Sequence, residues 1–167
     1  MDLSAILEII TAAAVLLGIL FGLLQLRHYH LSRKRESALF LLNSLQTVDF
    51  IQGIWIIQEL PGGLSKKEIE DRIGNGVKSI YLVMSNWESV GVMVYRREIS
   101  MDMVADAYAD PIVVSWQRLE RFVVDLRKIL QRDTPFAWFQ WLAERIMARE
   151  KTKPPKPAHL AHRDWKE

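Results

Sequence analysis

Apolar residues run from Ile9 to Leu26 without a charge, and beyond the basic segment that follows they recur at three- and four-residue intervals as far as Ile146. The first pattern predicts a membrane-spanning helix and the second a set of amphipathic helices. Thr11 and Gln25 are the only polar side chains among those first 18 residues, which as a helix extend about 27 Å, close to a bilayer's hydrocarbon thickness. Eleven of the 18 are large and apolar, and at roughly −0.3 to −0.6 kcal/mol each they favour insertion by roughly 3–7 kcal/mol. Asp2 and Glu8 precede the run and Arg27-His28-Tyr29-His30 follows it, which is unlike a cleavable signal peptide, so an uncleaved anchor is expected. No Lys or Arg precedes the span, whereas Arg27, Arg33, Lys34 and Arg35 follow it. That asymmetry predicts an N-terminus outside the inner membrane and a cytoplasmic remainder. Ala14, Gly18 and Gly22 share one helix face, where another transmembrane helix, its own copy or a partner's, could approach closely.

Beyond the basic linker, Ala38, Leu39, Leu42 and Leu45 keep helical spacing, and Thr47 with Asp49 reads as an N-cap and first turn. A strongly apolar helix is expected from about Val48 to Leu60, stopped by Pro61-Gly62-Gly63. Ser65-Lys66-Lys67-Glu68 has the capping-box spacing and predicts a helix that weakens at Gly74-Asn75-Gly76. From Val77 the stripe Val77, Ile80, Tyr81, Met84, Gly91 and Tyr95 marks a core helix. Ser100 caps a short helix ending near Ala109, and Pro111 opens another that places Ile112, Trp116, Leu119, Val123, Leu126 and Leu130 on one face. Thr134-Pro135 predicts an N-cap with proline at the first helical position of a last helix, Phe136 to about Arg149. No segment alternates as a strand does, so the fold class is all-α: one N-terminal transmembrane helix, a small cytoplasmic helical bundle and an extended C-terminal tail. The expected divisions are an external N-terminus 1–8, the span 9–26, a juxtamembrane linker 27–36, the helical domain 37–149 and a flexible basic, proline-rich tail 150–167.

Charge sharpens this division. Residues 27–36 carry +3, and so do residues 149–167, whereas 37–148 carry −2 from 12 basic and 14 acidic side chains. The linker arginines and Lys34 would be drawn to anionic lipid headgroups, or serve only to set topology. A formal charge of +2 over 167 residues is far from the footprint of a nucleic-acid binder. The absence of cysteine removes disulfides, thiolate metal sites and a cysteine nucleophile.

Several stretches together resemble an uncharacterised family of bacterial single-span proteins, classed as a domain of unknown function. They are Leu42-Asn-Ser-Leu45-Gln46, Leu60-Pro-Gly-Gly-Leu-Ser65, Trp87-Glu88-Ser-Val-Gly91-Val-Met-Val-Tyr95, Trp116, Arg127 and Trp138-Phe-Gln-Trp-Leu142. The resemblance covers roughly Arg35 to Arg149 and implies a membrane-tethered helical domain. It brings no reaction, cofactor or catalytic residue.

Little in the sequence suggests chemistry. Gly74-Asn75-Gly76 matches no phosphate loop, and there is no Gly-x-Ser-x-Gly elbow. His28 and His30 flank the span, while His159 and His162 fall in the tail, where they lack a third ligand; no metal or cofactor is expected. Glu88 breaks the local pattern, lying four residues after Met84 and three before Gly91 on the apolar stripe. A buried carboxylate needs a partner, and the helix bearing Arg118, Arg121 and Arg127 could supply one. Glu88 is then either half of an internal ion pair, whose truncation would cost about 3–5 kcal/mol if fully buried, or a proton-handling group. Trp87, Trp116, Trp138 and Trp141 suit a helical core better than a ligand box. The expected function is that of a non-enzymatic, membrane-anchored interaction module, an accessory or structural subunit or a homo-oligomer. The alternative is a tethered enzyme or ligand sensor centred on Glu88.

Overall fold

Thr47 is extended (φ −85°, ψ 147°), and its hydroxyl accepts a hydrogen bond from the Phe50 amide at 3.3 Å. That cap starts α1 (Val48–Glu59), which stops at Leu60 because Pro61 disfavours a helical residue before it. The computed structural model describes residues 2, 14–25, 43 and 45–166. They are helical or irregular, with no strand among them, so the chain is all-α as its periodicity indicates. It divides into two compact units, Met1–Phe40 and Leu41–Glu167. In the first, residues 14–25 are helical with exposed side chains. No described helix is long and apolar enough to cross a membrane. The remainder of Ile9–Leu26 and the linker 27–36 lie outside the described residues.

In the second unit, α2 (Lys66–Ile73) begins with the capping box that its sequence spells out. The Ser65 hydroxyl accepts from the Glu68 amide at 3.3 Å, and the Glu68 carboxylate accepts from the Ser65 amide at 2.8 Å. A 3₁₀ turn, Gly74–Gly76, leads into α3 (Val77–Tyr95). Then come α4 (Met101–Leu130), α5 (Ala137–Thr152) and the single-turn α6 (Ala158–Ala161). α3 packs against α1 and α5, and α4 packs against α1, α2 and α5. Ile57, Ile69, Ile80, Met84, Trp87, Ile112, Leu119, Phe122, Phe139, Leu142 and Ile146 meet in one core.

Three expectations are corrected. Pro111 does not separate two helices: α4 runs through it for 30 residues. The proline leaves the Ala107 carbonyl without its usual partner, at roughly 3 kcal/mol in a helix interior. Val104 before it and Ile112, Trp116 and Leu119 after it are buried in the same core, and that burial holds the helix together. Thr134 and Pro135 do not cap the last helix, which starts at Ala137 after a left-handed Phe136 (φ 56°) with no side-chain cap from its own flank. The tail is not wholly extended either, since α5 continues to Thr152 and α6 follows.

Two glycines set how closely the helices approach. A Cβ on Gly53 would lie within 3.0 Å of the Ser79 carbonyl oxygen and the Val83 side chain, so α1 and α3 touch backbone to backbone. A Cβ on Gly91 would lie within 3.0 Å of the Trp138 carbonyl oxygen and carbon, so α3 meets the first turn of α5 in the same way. In an open helix Gly→Ala stabilises by about 1 kcal/mol. Here Gly91→Ala should reverse that sign and destabilise by about 1–3 kcal/mol through overpacking. Gly62→Ala, where the nearest atom stands at 3.6 Å, should unfold close to wild type; denaturant titration of both variants checks the contrast.

Candidate functional site

Glu88 lies one helical turn before Gly91, so the carboxylate and the glycine face the same neighbour. Its Oε2 accepts a hydrogen bond from the Phe139 amide at 2.7 Å. The Trp138 and Ala137 amides also favour its ionised form. All three belong to the first turn of α5, which no local side chain caps, although the Ala137 amide also donates to the Thr134 carbonyl at 3.1 Å. Glu88 therefore caps α5 from across the interface, placing a negative charge at the positive end of the helix dipole.

The environment pulls the carboxyl in two directions. Half-burial against the core raises its pKa above the ordinary 4.5, outweighing the α5 amides and the positive charge of Arg127, which lower it. Arg127 acts at a distance, since Glu88 forms no ion pair among the described residues. Instead, Arg127 Nε donates to the Pro135 carbonyl at 3.0 Å and one terminal nitrogen donates to Gln140 Oε1 at 2.7 Å. Its other terminal nitrogen is buried without a partner among the described residues. Gln140 in turn donates to Glu144 at 2.8 Å. Arg127 thus fixes the turn before α5 while Glu88 holds the first amides.

The other two candidate arginines lie elsewhere. Arg121 donates to the Gly63 carbonyl at 3.2 Å, and an Arg118 terminal nitrogen lies beside Gly62, so both brace the Pro61-Gly62-Gly63 loop. The expected Glu88–arginine contact is replaced by a helix end, which sequence spacing could not reveal because the carboxylate and the Phe139 amide are 51 residues apart. A second such device escaped the sequence reading. Asp125 of α4 accepts from the Lys66 amide at 3.2 Å, adding to the capping box at the start of α2.

The four tryptophans do not form one box. Trp87 packs edge-on to Phe50 at 5.3 Å, with its indole nitrogen buried and unpartnered among the described residues, and Trp116 packs edge-on to Phe139 at 5.3 Å. Trp138 and Trp141 lie apart, near the surface, with Tyr95. A surface groove of about 370 Å³ is lined by Asp49, Gln52, Asn75, Gly76, Lys78, Ser79 and Leu82, and includes neither Glu88 nor Arg127. Ala14, Gly18 and Gly22 fall on the described helical stretch 14–25, and nothing lies within 4 Å of where a Cβ on Gly18 or Gly22 would stand. Arg27, Arg33, Lys34 and Arg35 lie outside the described residues. His159 and His162 are exposed in and just after α6.

Its second unit is thus a small helical domain in which the starts of α2 and α5 receive carboxylates from neighbouring helices. A family model, domain of unknown function (DUF4760), matches residues 9–146, and the chain belongs to that family. No curated protein and no solved structure matches it.

Removing the cap should weaken the α3–α5 contact. Glu88→Ala is expected to cost about 1–2 kcal/mol, as for loss of an N-cap, below the figure for a fully buried ion pair. The pH dependence has a defined sign. Because the folded-state pKa lies above the ordinary 4.5, the native state takes up the proton first as pH falls. Wild type should gain stability relative to Glu88→Gln as pH drops from neutral through that raised value. The gain should level off below the ordinary value. Paired urea titrations between neutral and acidic pH measure it.

Proposed function

We propose that this protein is a membrane-anchored, non-enzymatic interaction module, either an accessory or structural subunit of a bacterial inner-membrane complex or a homo-oligomer. The observation that carries the reading is the open face of α1. Phe50, Gly53 and Ile57 of that helix are buried, yet Val48, Ile51 and Trp55 on its other side are 80%, 42% and 65% exposed. A helix that is apolar on nearly every side is normally covered on every side. A large aromatic with aliphatic neighbours is the composition of a protein-binding hot spot. The uncharged run Ile9–Leu26 supports a tether in the bilayer. The exposed Gly18 and Gly22 support association with another transmembrane helix.

The alternative, an enzyme or sensor centred on Glu88, draws support from the raised pKa of that carboxyl. Against it stands the use of the carboxylate as a helix cap, with its acceptor capacity turned toward α5.

Ile51→Asp combined with Trp55→Asp should leave the melting temperature nearly unchanged, because both side chains are exposed. The variant should nevertheless reduce particle size or strip the co-purifying subunit in mild detergent. Unchanged size and composition would exclude the α1 face as the interface. The orientation has its own check: a reporter active only in the periplasm, fused after Glu167, should stay silent.

A further inference from the structure

Tyr95, the last residue of α3, packs against Trp138 of α5 with ring centroids 4.8 Å apart and against Trp141 at 6.1 Å; the two indoles meet edge-on at 5.9 Å. Tyr95 is 61% exposed and both indoles are partly so, which makes this an aromatic patch on the surface. Arg145, one turn beyond Trp141, holds its guanidinium 5.8 Å from the centre of that indole. Arg96 and Arg97 follow Tyr95 directly, in a turn closed by bonds from the Arg97 amide to the Val94 carbonyl and from the Glu98 amide to the Met93 carbonyl. All three arginines are exposed, and none forms an ion pair among the described residues. The next arginine along α5, Arg149, pairs with Asp102.

We propose that the Tyr95–Trp138–Trp141 patch, with Arg96, Arg97 and Arg145, is a docking face for an anionic lipid surface. Amphipathic indole and phenol rings settle at the headgroup level, and guanidinium groups pair with phosphate through two parallel hydrogen bonds. Positive charge without an acidic partner around such rings complements a plane of anionic headgroups. The α1 face does not: Val48–Glu59 contains two acidic residues and no Lys or Arg. The two faces thus suit different partners. This inference rests on the membrane tether proposed above. From Arg27 to Thr47 the chain reaches at most about 70 Å even when fully extended. That tether keeps the domain near the surface at high effective concentration, where a modest patch is enough to hold it.

The test uses the full chain reconstituted into vesicles of phosphatidylcholine alone, or of phosphatidylcholine with phosphatidylglycerol, each carrying brominated acyl chains that quench nearby tryptophan. A Trp138→Phe/Trp141→Phe variant identifies the emission belonging to the patch. The proposal expects that emission to be quenched at least about twofold more with phosphatidylglycerol present, an excess lost in high salt. It also expects the excess to be lost in Arg96→Gln/Arg145→Gln, while flotation with both vesicle types persists. Flotation with equal quenching in the two lipids, or quenching indifferent to salt, overturns the docking face and leaves the tether standing. So does the absence of quenching combined with an Arg96→Gln/Arg145→Gln variant that loses a protein partner or an oligomer, which would make the patch a protein interface. A chain that floats with neither vesicle overturns the tether, and the lipid face with it. The salt arm does not need Arg96→Gln/Arg145→Gln, so the test holds even if that variant folds poorly.

Discussion

The arrangement of the domain depends on one contact, the seating of the first turn of α5 on the Glu88–Gly91 face of α3. The glycine removes the side chain that would hold the two backbones apart, and the glutamate one turn earlier reaches the amides this proximity exposes. Neither half suffices alone. Close approach without an acceptor would bury unpaired amides, and a carboxylate without close approach would stand against the core with nothing to receive its charge. Arg127 completes the contact by holding the Pro135 carbonyl and Gln140, so the turn into α5 is fixed from α4 while its helical end is fixed from α3.

That contact explains an ionisable group on an otherwise apolar stripe. Burial raises the Glu88 pKa, while amide dipoles and a distant guanidinium lower it, and burial dominates. A perturbed carboxyl is a common mark of an active site, yet here the same perturbation accompanies a structural role. Asp125 repeats the device at α2, so a cap supplied from another helix occurs twice in this small bundle.

The faces left open are chemically distinct. α1 presents aliphatic residues and Trp55 with no basic side chain, whereas the end of α3 and the middle of α5 present stacked aromatics among arginines. Between them runs a core dense in large side chains, with Trp87 and Trp116 inside it. The four tryptophans therefore divide between holding the domain together and offering a surface, and helical spacing alone does not distinguish the two uses.

The sequence by itself determined the local structure: the all-α class, the Thr47 cap that begins α1, the Ser65–Glu68 capping box and the stop at Pro61. Each follows from residues at most a few positions apart, so spacing carries the information. That the chain falls in a family of unknown function was legible as well. Tertiary structure decided three matters that spacing could not. It carried α4 straight through Pro111, because burial on both sides outweighs one lost hydrogen bond. It moved the start of α5 from Thr134-Pro135 to Ala137, because the acceptor for that helix end is Glu88, 51 positions before the Phe139 amide it holds. And it gave Glu88 a helix end instead of an arginine, because a dipole formed by folded backbone has no counterpart in the letters of the chain.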